Sequence, residues 1–297
     1  MRLNCLVWVV IVLLAGCSPY KIVDAPSVNQ NSRIDYIVIH ATSQDFETSL
    51  NTLTKDSVYP VSSHYLIPNA REKNYLDYFS KELAVYRLVD EVRRAWHAGV
   101  SSWSDEVSLN DRSIGIEVVN EFHCDNDAKE SDAPSIDFLT CNFLPYPAEQ
   151  IDLLKVLLLD ILDRYPDINP VDVVGHADIA PSRKSDPGPY FPWKELFEAG
   201  IGAWYDQPTY AKYNHLFNQD MPPIEIMQRA LLAYGYPIEE TGIIDEQTRF
   251  AVRAFQLHFR SSDYSGRMDA ESLAILFALI EKYRSEKFKD FAFIAVN

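Results

Sequence analysis

Apolar residues fall into short β-branched runs over the first two thirds of the chain and into longer stripes of helical period over the last third. The segment 34–40, with Ile34, Tyr36, Ile37, Val38 and Ile39 leading to His40, has the near-continuous apolar character of a strand covered on both faces, and it ends at a polar cluster. Similar short runs recur at 64–67, 84–89, 113–119 and 171–174. Between them, 148–165 places Ile151, Leu154, Leu158, Ile161 and Leu162 on one helical face, with Pro147 where a helix start tolerates proline. Residues 33–205 are therefore expected to form an α/β domain, a mixed central sheet flanked by helices. After an aromatic-rich stretch, 206–221 reads as a linker, and 222–285 as a small all-α three-helix domain with helical patterns at 223–234, 245–259 and 269–283. Thr241-Gly242 and Ser265-Gly266 are turn signals, each followed by an aspartate suited to cap the next helix, Asp245 and Asp269. The two turns form a short pseudo-repeat. Residues 286–297 read as a tail.

The N-terminus changes this picture. Arg2 precedes an apolar run from Leu6 to Leu14 that ends at Ala15-Gly16-Cys17, the layout of an export signal. The run is well short of the roughly 18 apolar residues that span a bilayer. Leu14-Ala15-Gly16-Cys17 resembles the bacterial lipobox, which implies that 1–17 is a lipoprotein signal, that Cys17 carries the lipid, and that 18–32 is a polar tether. Ser18 after the cysteine implies the outer membrane, so the expected location is the bacterial envelope, on the face toward the periplasm. Cys124 and Cys141 are then the thiols left in an oxidising compartment, where they either pair or stay free. A bridge would close a loop of about 16 residues and contribute about 3 kcal/mol.

Charge excludes one class of partner. With 27 Lys+Arg against 43 Asp+Glu, a formal net charge of -16, the chain lacks the cationic excess that phosphate neutralisation requires, so nucleic acid is not expected. Acidity of this kind names no ligand.

His40 ends the first strand, His176 follows the strand at 171–174, and Asp186 lies ten residues further on. Three ligands of this type with an open fourth position would suit catalytic zinc. Spacing alone leaves open the ordinary alternative, histidines satisfying local hydrogen bonds. Five ordered segments narrow the choice: Tyr36-Ile37-Val38-Ile39-His40-Ala41-Thr42; Val61-Ser62-Ser63-His64-Tyr65-Leu66-Ile67; Ala95-Trp96-His97-Ala98-Gly99-Val100-Ser101-Ser102-Trp103; Ser113-Ile114-Gly115-Ile116-Glu117; and Gly175-His176-Ala177-Asp178 through Arg183-Lys184-Ser185-Asp186-Pro187-Gly188-Pro189. Together they resemble the type 2 N-acetylmuramoyl-L-alanine amidases, which share a fold with peptidoglycan-recognition proteins, over about residues 33–198. The lipobox and helical tail resemble the outer-membrane lipoprotein AmiD group most. The tail itself resembles the three-helix peptidoglycan-binding domain through Met227-Gln228-Arg229-Ala230-Leu231, Tyr234-Gly235-Tyr236 and Thr241-Gly242-Ile243-Ile244-Asp245.

The resemblance implies hydrolysis of the amide between N-acetylmuramic acid and L-alanine in peptidoglycan or muropeptides. It implies that His40, His176 and Asp186 bind Zn2+, that Glu117 is the acid/base, and that Lys184 stabilises the oxyanion. Trp96 and His97 are expected along the groove, Arg183 near stem-peptide carboxylates, and His64 behind or beside them, each with ordinary packing or solvation as the alternative. A monomer is expected. Two other functions fit the same residues: a recognition protein without catalysis, and a zinc peptidase cutting within the stem peptide. Asn120-Glu121-Phe122, the 124–141 segment and a lengthening at 69–82 depart from the family pattern and are expected to reshape the groove.

Overall fold

Strand β1 (Tyr36–Ala41) is buried along its whole length, as its apolar run requires. In the computed structural model, which describes residues 23–29, 32–126 and 135–291, it lies inside a five-stranded sheet. Its neighbours are β2 (Tyr65–Ile67), β3 (Tyr86–Arg87), β6 (Ser113–Val118) and β9 (Val173–Gly175), in the order β3-β2-β6-β1-β9. All pairings are parallel except that of β3, which closes one edge antiparallel. Two antiparallel ribbons lie outside the sheet, β4 (Ser102–Trp103) with β5 (Glu106–Val107), and β7 (His123–Asn126) with β8 (Leu139–Asn142). The expected segment 171–174 becomes strand only from Val173, because Pro170 to Asp172 form a 3-10 turn in which proline has no N–H to lend a ladder.

Alternation divides the sheet into two faces. Ile37, Ile39, Ile114 and Ile116 point to one side and meet Ile151, Leu154, Leu158 and Ile161 of helix α3 (Ala148–Arg164) in a dry core. Tyr36 and Val38 point to the other side, into a core continuous with the helices of the C-terminal third. The register on that side places His40 opposite Glu117 and Val38 opposite Gly115.

The remaining helices are α1 (Phe46–Thr54), α2 (Lys73–Tyr78), α4 (His176–Ile179), α5 (Trp193–Glu198), α6 (Gln207–Gln219), α7 (Ile224–Tyr234), α8 (Glu246–Phe259), α9 (Ala270–Tyr283) and α10 (Ser285–Phe288). Residues 206–221 are not an extended linker: α6 occupies them and buries Tyr213 and Phe217 against Phe277 of α9. The tail beyond 285 also contributes, since Phe291 is buried against Phe277. From Ser32 onward the chain forms one unit.

The pseudo-repeat is visible in hydrogen bonds. Gln228 accepts from Gly242 N at 2.9 Å and donates to Ile243 O and Thr248 Oγ1, both at 2.9 Å. Gln256 repeats this with Gly266 N, Arg267 O and Ser272 Oγ, again all at 2.9 Å. Asp245 and Asp269 cap α8 and α9 through Thr248 N and Ser272 N. Gly235 ends α7 at φ 148°, where any Cβ would meet the Trp103 ring at 2.9 Å. Trp103 in turn donates to Val171 O at 3.1 Å, so this contact locks the helical module to the sheet layer.

The expected signal segment 1–17, Cys17, and the parts of the tether at 18–22 and 30–31 lie outside the described residues. Among the described residues no helix is long and apolar enough to cross a membrane.

Candidate metal centre and catalytic cleft

Parallel strands bring their carboxyl ends to one edge, where α/β proteins place ligands. His40 stands at that end of β1, Glu117 at that end of β6, and His176 directly after β9. Asp186 arrives from the following loop, which is held back on α4 by the bond from Ala177 N to Asp186 O at 2.8 Å. One ligand atom from each of His40, His176 and Asp186 lies within 4.8 Å of the other two, and all three residues are buried.

The hydrogen bonds behind these ligands fix what they present. His176 Nε2 faces Ala98 O at 3.3 Å, a carbonyl that can only accept, so its Nδ1 lone pair points inward. His40 Nε2 faces His97 Nδ1 at 3.0 Å, and His97 Nε2 faces Ser113 Oγ at 3.2 Å, whose own proton goes to Leu109 O at 2.6 Å. Followed outward from an inward-pointing His40 Nδ1 lone pair, this chain has one consistent direction: His40 donates to His97, and His97 donates to Ser113. Two Nδ1 atoms only 2.8 Å apart, with Asp186 Oδ2 at 3.1 Å from one and 3.5 Å from the other, then converge as three electron-rich atoms. Such a cluster fits a cation at its centre, and a two-nitrogen, one-oxygen donor set of this kind is suited to zinc.

The electrostatics agree. Burial, with the neighbouring His176, lowers His40 to about 4, so it is a neutral donor near pH 7. Burial pushes the Asp186 carboxyl up, but His176 and His40 more than offset this and hold it well below the ordinary carboxylate range. Glu117 is raised to about 8, by burial first and by Asp186 second, against the opposing pull of Lys184. Among the described residues no group donates a hydrogen bond to the Glu117 carboxyl. A cleft of about 300 Å³ opens over this centre, lined by Glu117 and Lys184, by Trp96, and by Ser49 and Leu53 of α1.

The other expected site residues are placed unequally. Trp96 is 47% exposed and forms part of the cleft wall. His97 reaches the cleft, but both its nitrogens are engaged by His40 and Ser113. Its ring lies flat on Gly115, where a Cβ would come within 2.4 Å of it, which explains a glycine in mid-strand. His64 is fully buried, accepts from Gly115 N at 3.0 Å and faces Arg93 O at 3.1 Å, so it braces β6 and does not line the cleft as a substrate contact would. Arg183 spends one guanidinium nitrogen on Ala98 O at 3.1 Å and Val100 O at 2.6 Å, clasping the loop that orients His176. Cys124 and Cys141 face each other across the β7–β8 ribbon and are joined by a disulfide. The ribbon borders a second hollow that shares Ser43, Lys184 and Asp186 with the metal cleft.

Two family models match the chain. That of N-acetylmuramoyl-L-alanine amidase covers residues 30–189, more than half of the chain, and that of a peptidoglycan binding domain covers residues 220–276. The chain belongs to the N-acetylmuramoyl-L-alanine amidase family. The amidase is 39% identical over 285 residues to N-acetylmuramoyl-L-alanine amidase AmiD of Escherichia coli (strain K12), spanning 91% of this chain and 95% of that protein. It is similar to the crystal structure of AmpDh3 from Pseudomonas aeruginosa in complex with anhydromuramic pentapeptide, with TM-score 0.79 and 43% identity over 91% of this chain and 99% of that one. It also resembles E. coli AmiD in complex with the substrate anhydro-N-acetylmuramic acid-L-Ala-D-gamma-Glu-L-Lys, with TM-score 0.70 and 39% identity over 87% of this chain and 93% of that one. The mixed sheet flanked by helices and the helical C-terminal region are thus common to this chain and these relatives.

Ser113, which ends the hydrogen-bond chain running from His40 through His97, is not singled out by the sequence. It lies in the segment Ser113-Ile114-Gly115-Ile116-Glu117, but nothing in that segment marks it as the end of this chain.

Proposed function

We propose that this amidase hydrolyses the amide between N-acetylmuramic acid and L-alanine in peptidoglycan and its soluble muropeptide fragments, using zinc held by His40, His176 and Asp186. The convergence of those three ligands beside Glu117 and Lys184 in one cleft carries the reading. Zinc in that position supplies Lewis-acid chemistry, polarising a carbonyl and acidifying water. The chain's own residues do the rest. Glu117, in register with His40, takes the proton of the attacking water and delivers it to the amide nitrogen as the C–N bond breaks, freeing the L-alanine amine. Lys184 sets its ammonium toward the oxygen that gains charge in the tetrahedral intermediate. Trp96 offers an aromatic face to sugar or peptide at the cleft mouth.

All five site side chains come from one chain, so a monomer suffices. The lipobox-like Cys17 supports tethering to the outer membrane on its periplasmic side, and the helical module supports contact with the wall. The test is mass spectrometry of muropeptides incubated with zinc-loaded mature protein, a chelated sample, and His176→Ala. Zinc-dependent release of stem peptides with a free L-alanine amine is expected, with loss of at least about 1000-fold in the variant, since such an ion contributes several kcal/mol to the transition state. Muropeptides that bind but stay intact would identify a recognition protein, and cleavage inside the stem peptide a zinc peptidase.

A further inference from the structure

Helix α8 belongs to the region matched by the peptidoglycan-binding model, yet it reaches both loops that carry metal ligands. Of the four polar side chains it buries, Thr248 and Gln256 serve the turns of the helical module, whereas Arg253 and His258 point toward the sheet domain. Arg253, 5% exposed, donates from Nη1 to Ser185 Oγ at 2.9 Å, one residue before Asp186. His258, 7% exposed, meets Asp178 Oδ2 through Nδ1 at 2.7 Å, two residues after His176. The Asp178 carboxylate also accepts from Gly175 N at 2.7 Å and from the Tyr236 hydroxyl at 2.6 Å, so it ties the α4 turn to the helical module by two bonds.

The composition of this contact is costly if packing were its only purpose. His258 is sandwiched between Trp193, with ring centroids 3.8 Å apart, and the neighbouring Phe259, and its Nε2 is buried with no partner among the described residues. A hydrophobic ring would fill that slot without an orphaned nitrogen. What a hydrophobe cannot supply is the Nδ1–H that holds Asp178. Likewise the buried Arg253 guanidinium bonds Ser185, approaches Cys141 Sγ at 3.5 Å and covers the Tyr264 ring, so it ties both the loop before Asp186 and the β7–β8 ribbon to α8.

We propose that Arg253 and His258, acting through Ser185 and Asp178, are positioning residues of the metal centre, so that the helical module is a structural half of the catalytic site as well as a wall-binding element. Groups hydrogen-bonded directly to metal ligands set their orientation, and losing one lowers metal affinity or activity by about 10–100-fold; Arg253 and His258 act on the residues beside the ligands in the chain, so that range bounds their effect from above. The inference rests on the reading of His40, His176 and Asp186 as the zinc ligands.

The test uses the full mature chain and five variants: Arg253→Met, His258→Phe, His258→Asn, His176→Ala and Leu276→Ala. Leu276 is fully buried in α9, so its truncation destabilises the same module away from the metal layer. Zinc affinity is measured by chelator competition, ligand geometry by the visible bands of the cobalt(II)-substituted protein, and turnover on a small soluble muropeptide that needs no wall anchoring. Arg253→Met and His258→Phe are expected to weaken zinc measurably, by at most about 10–100-fold, and to lower kcat with KM little changed, while Leu276→Ala leaves zinc affinity intact despite its lower Tm. His258→Asn, which keeps a side-chain N–H, should restore most of the affinity lost in His258→Phe. If either buried variant fails to fold, the same comparison is made with Arg253→Leu and His258→Leu, which also remove the bonds to Ser185 and Asp178, against Leu276→Ala. Zinc affinity and cobalt spectra unchanged in the α8 variants, or reduced equally by Leu276→Ala, would overturn the proposal while leaving the metal reading intact. Full zinc affinity in His176→Ala would overturn both.

Discussion

The two faces of one sheet are built to opposite ends. On the α3 side, isoleucines of β1 and β6 meet leucines and isoleucines of a single amphipathic helix, and the one polar side chain that α3 buries is Gln150, whose amide donates to Val119 O at 2.9 Å. On the other side, Tyr36 and Val38 join a second apolar core, and toward the carboxyl ends of the strands the alternate residues are His40, Gly115 and Glu117, backed by His64 and His97. The first face lowers the free energy of the fold by burying apolar surface, at about 25 cal/mol per Å². The carboxyl end of the second opposes this by burying titratable groups, a cost visible in His40 being lowered to about 4 and Glu117 raised to about 8. The difference shows that a period-two strand can separate stability from chemistry residue by residue.

The largest expected departure is at Glu117. Glu117→Gln should lower kcat by about 10²–10⁴-fold, the usual contribution of a positioned acid/base. The same variant should stabilise the chelated protein. Glu117 titrates near 8 when folded against an ordinary value of 4.5, so between those values the folded state holds the proton that the unfolded state has released. Stability attributable to this group therefore falls as pH rises through that window. Thermal melts in chelator should show the variant more stable than the parent by about 1–3 kcal/mol near pH 7 and nearly equal to it at pH 4. A constant gap across pH would show that Glu117 is not held protonated by its surroundings.

Leu158→Ala, on the apolar face, sharpens the comparison from the other side. It should cost about 2–5 kcal/mol in denaturant melts, with zinc affinity and kcat per folded molecule unchanged. A parallel loss of zinc affinity would mean the faces are mechanically coupled through the strands.

Much of this division was legible in the sequence. The apolar runs located the sheet strands to within a few residues, and the stripe at 148–165 located α3 almost to its ends, because both follow from local periodicity. The candidate ligand set was nameable only through five ordered motifs; His40, His176 and Asp186 lie too far apart in sequence for spacing to imply the convergence seen in the fold. What stayed hidden was long-range pairing. Nothing local says that 206–221 is a packed helix and not a linker, since its pattern makes sense only against Phe277. Gln228 and Gln256 look like surface glutamines until each turns inward to close its own turn. His64 and His97 sit in motifs beside the cleft, yet backbone partners and a neighbouring histidine, invisible in one dimension, decide what each can touch.

The smallest expected effect tests whether the catalytic face is organised beyond its ligands. Ser113 is fully buried, donates to Leu109 O at 2.6 Å, and receives His97 Nε2 at 3.2 Å, which leaves His97 Nδ1 free to accept from His40. Removing the hydroxyl leaves His97 without the acceptor that fixes its tautomer, so His40 loses a defined partner and its inward lone pair loses definition. Ser113→Ala should therefore weaken zinc about tenfold, the lower end for such supports, and cost about 1 kcal/mol of stability for the lost hydrogen bond. His97→Phe, which removes both bonds, should weaken zinc further. Chelator competition on the two variants decides the matter: a stability loss in Ser113→Ala with zinc affinity unchanged would reduce the chain from His40 to Leu109 to packing, and the catalytic face would be organised by its ligands alone.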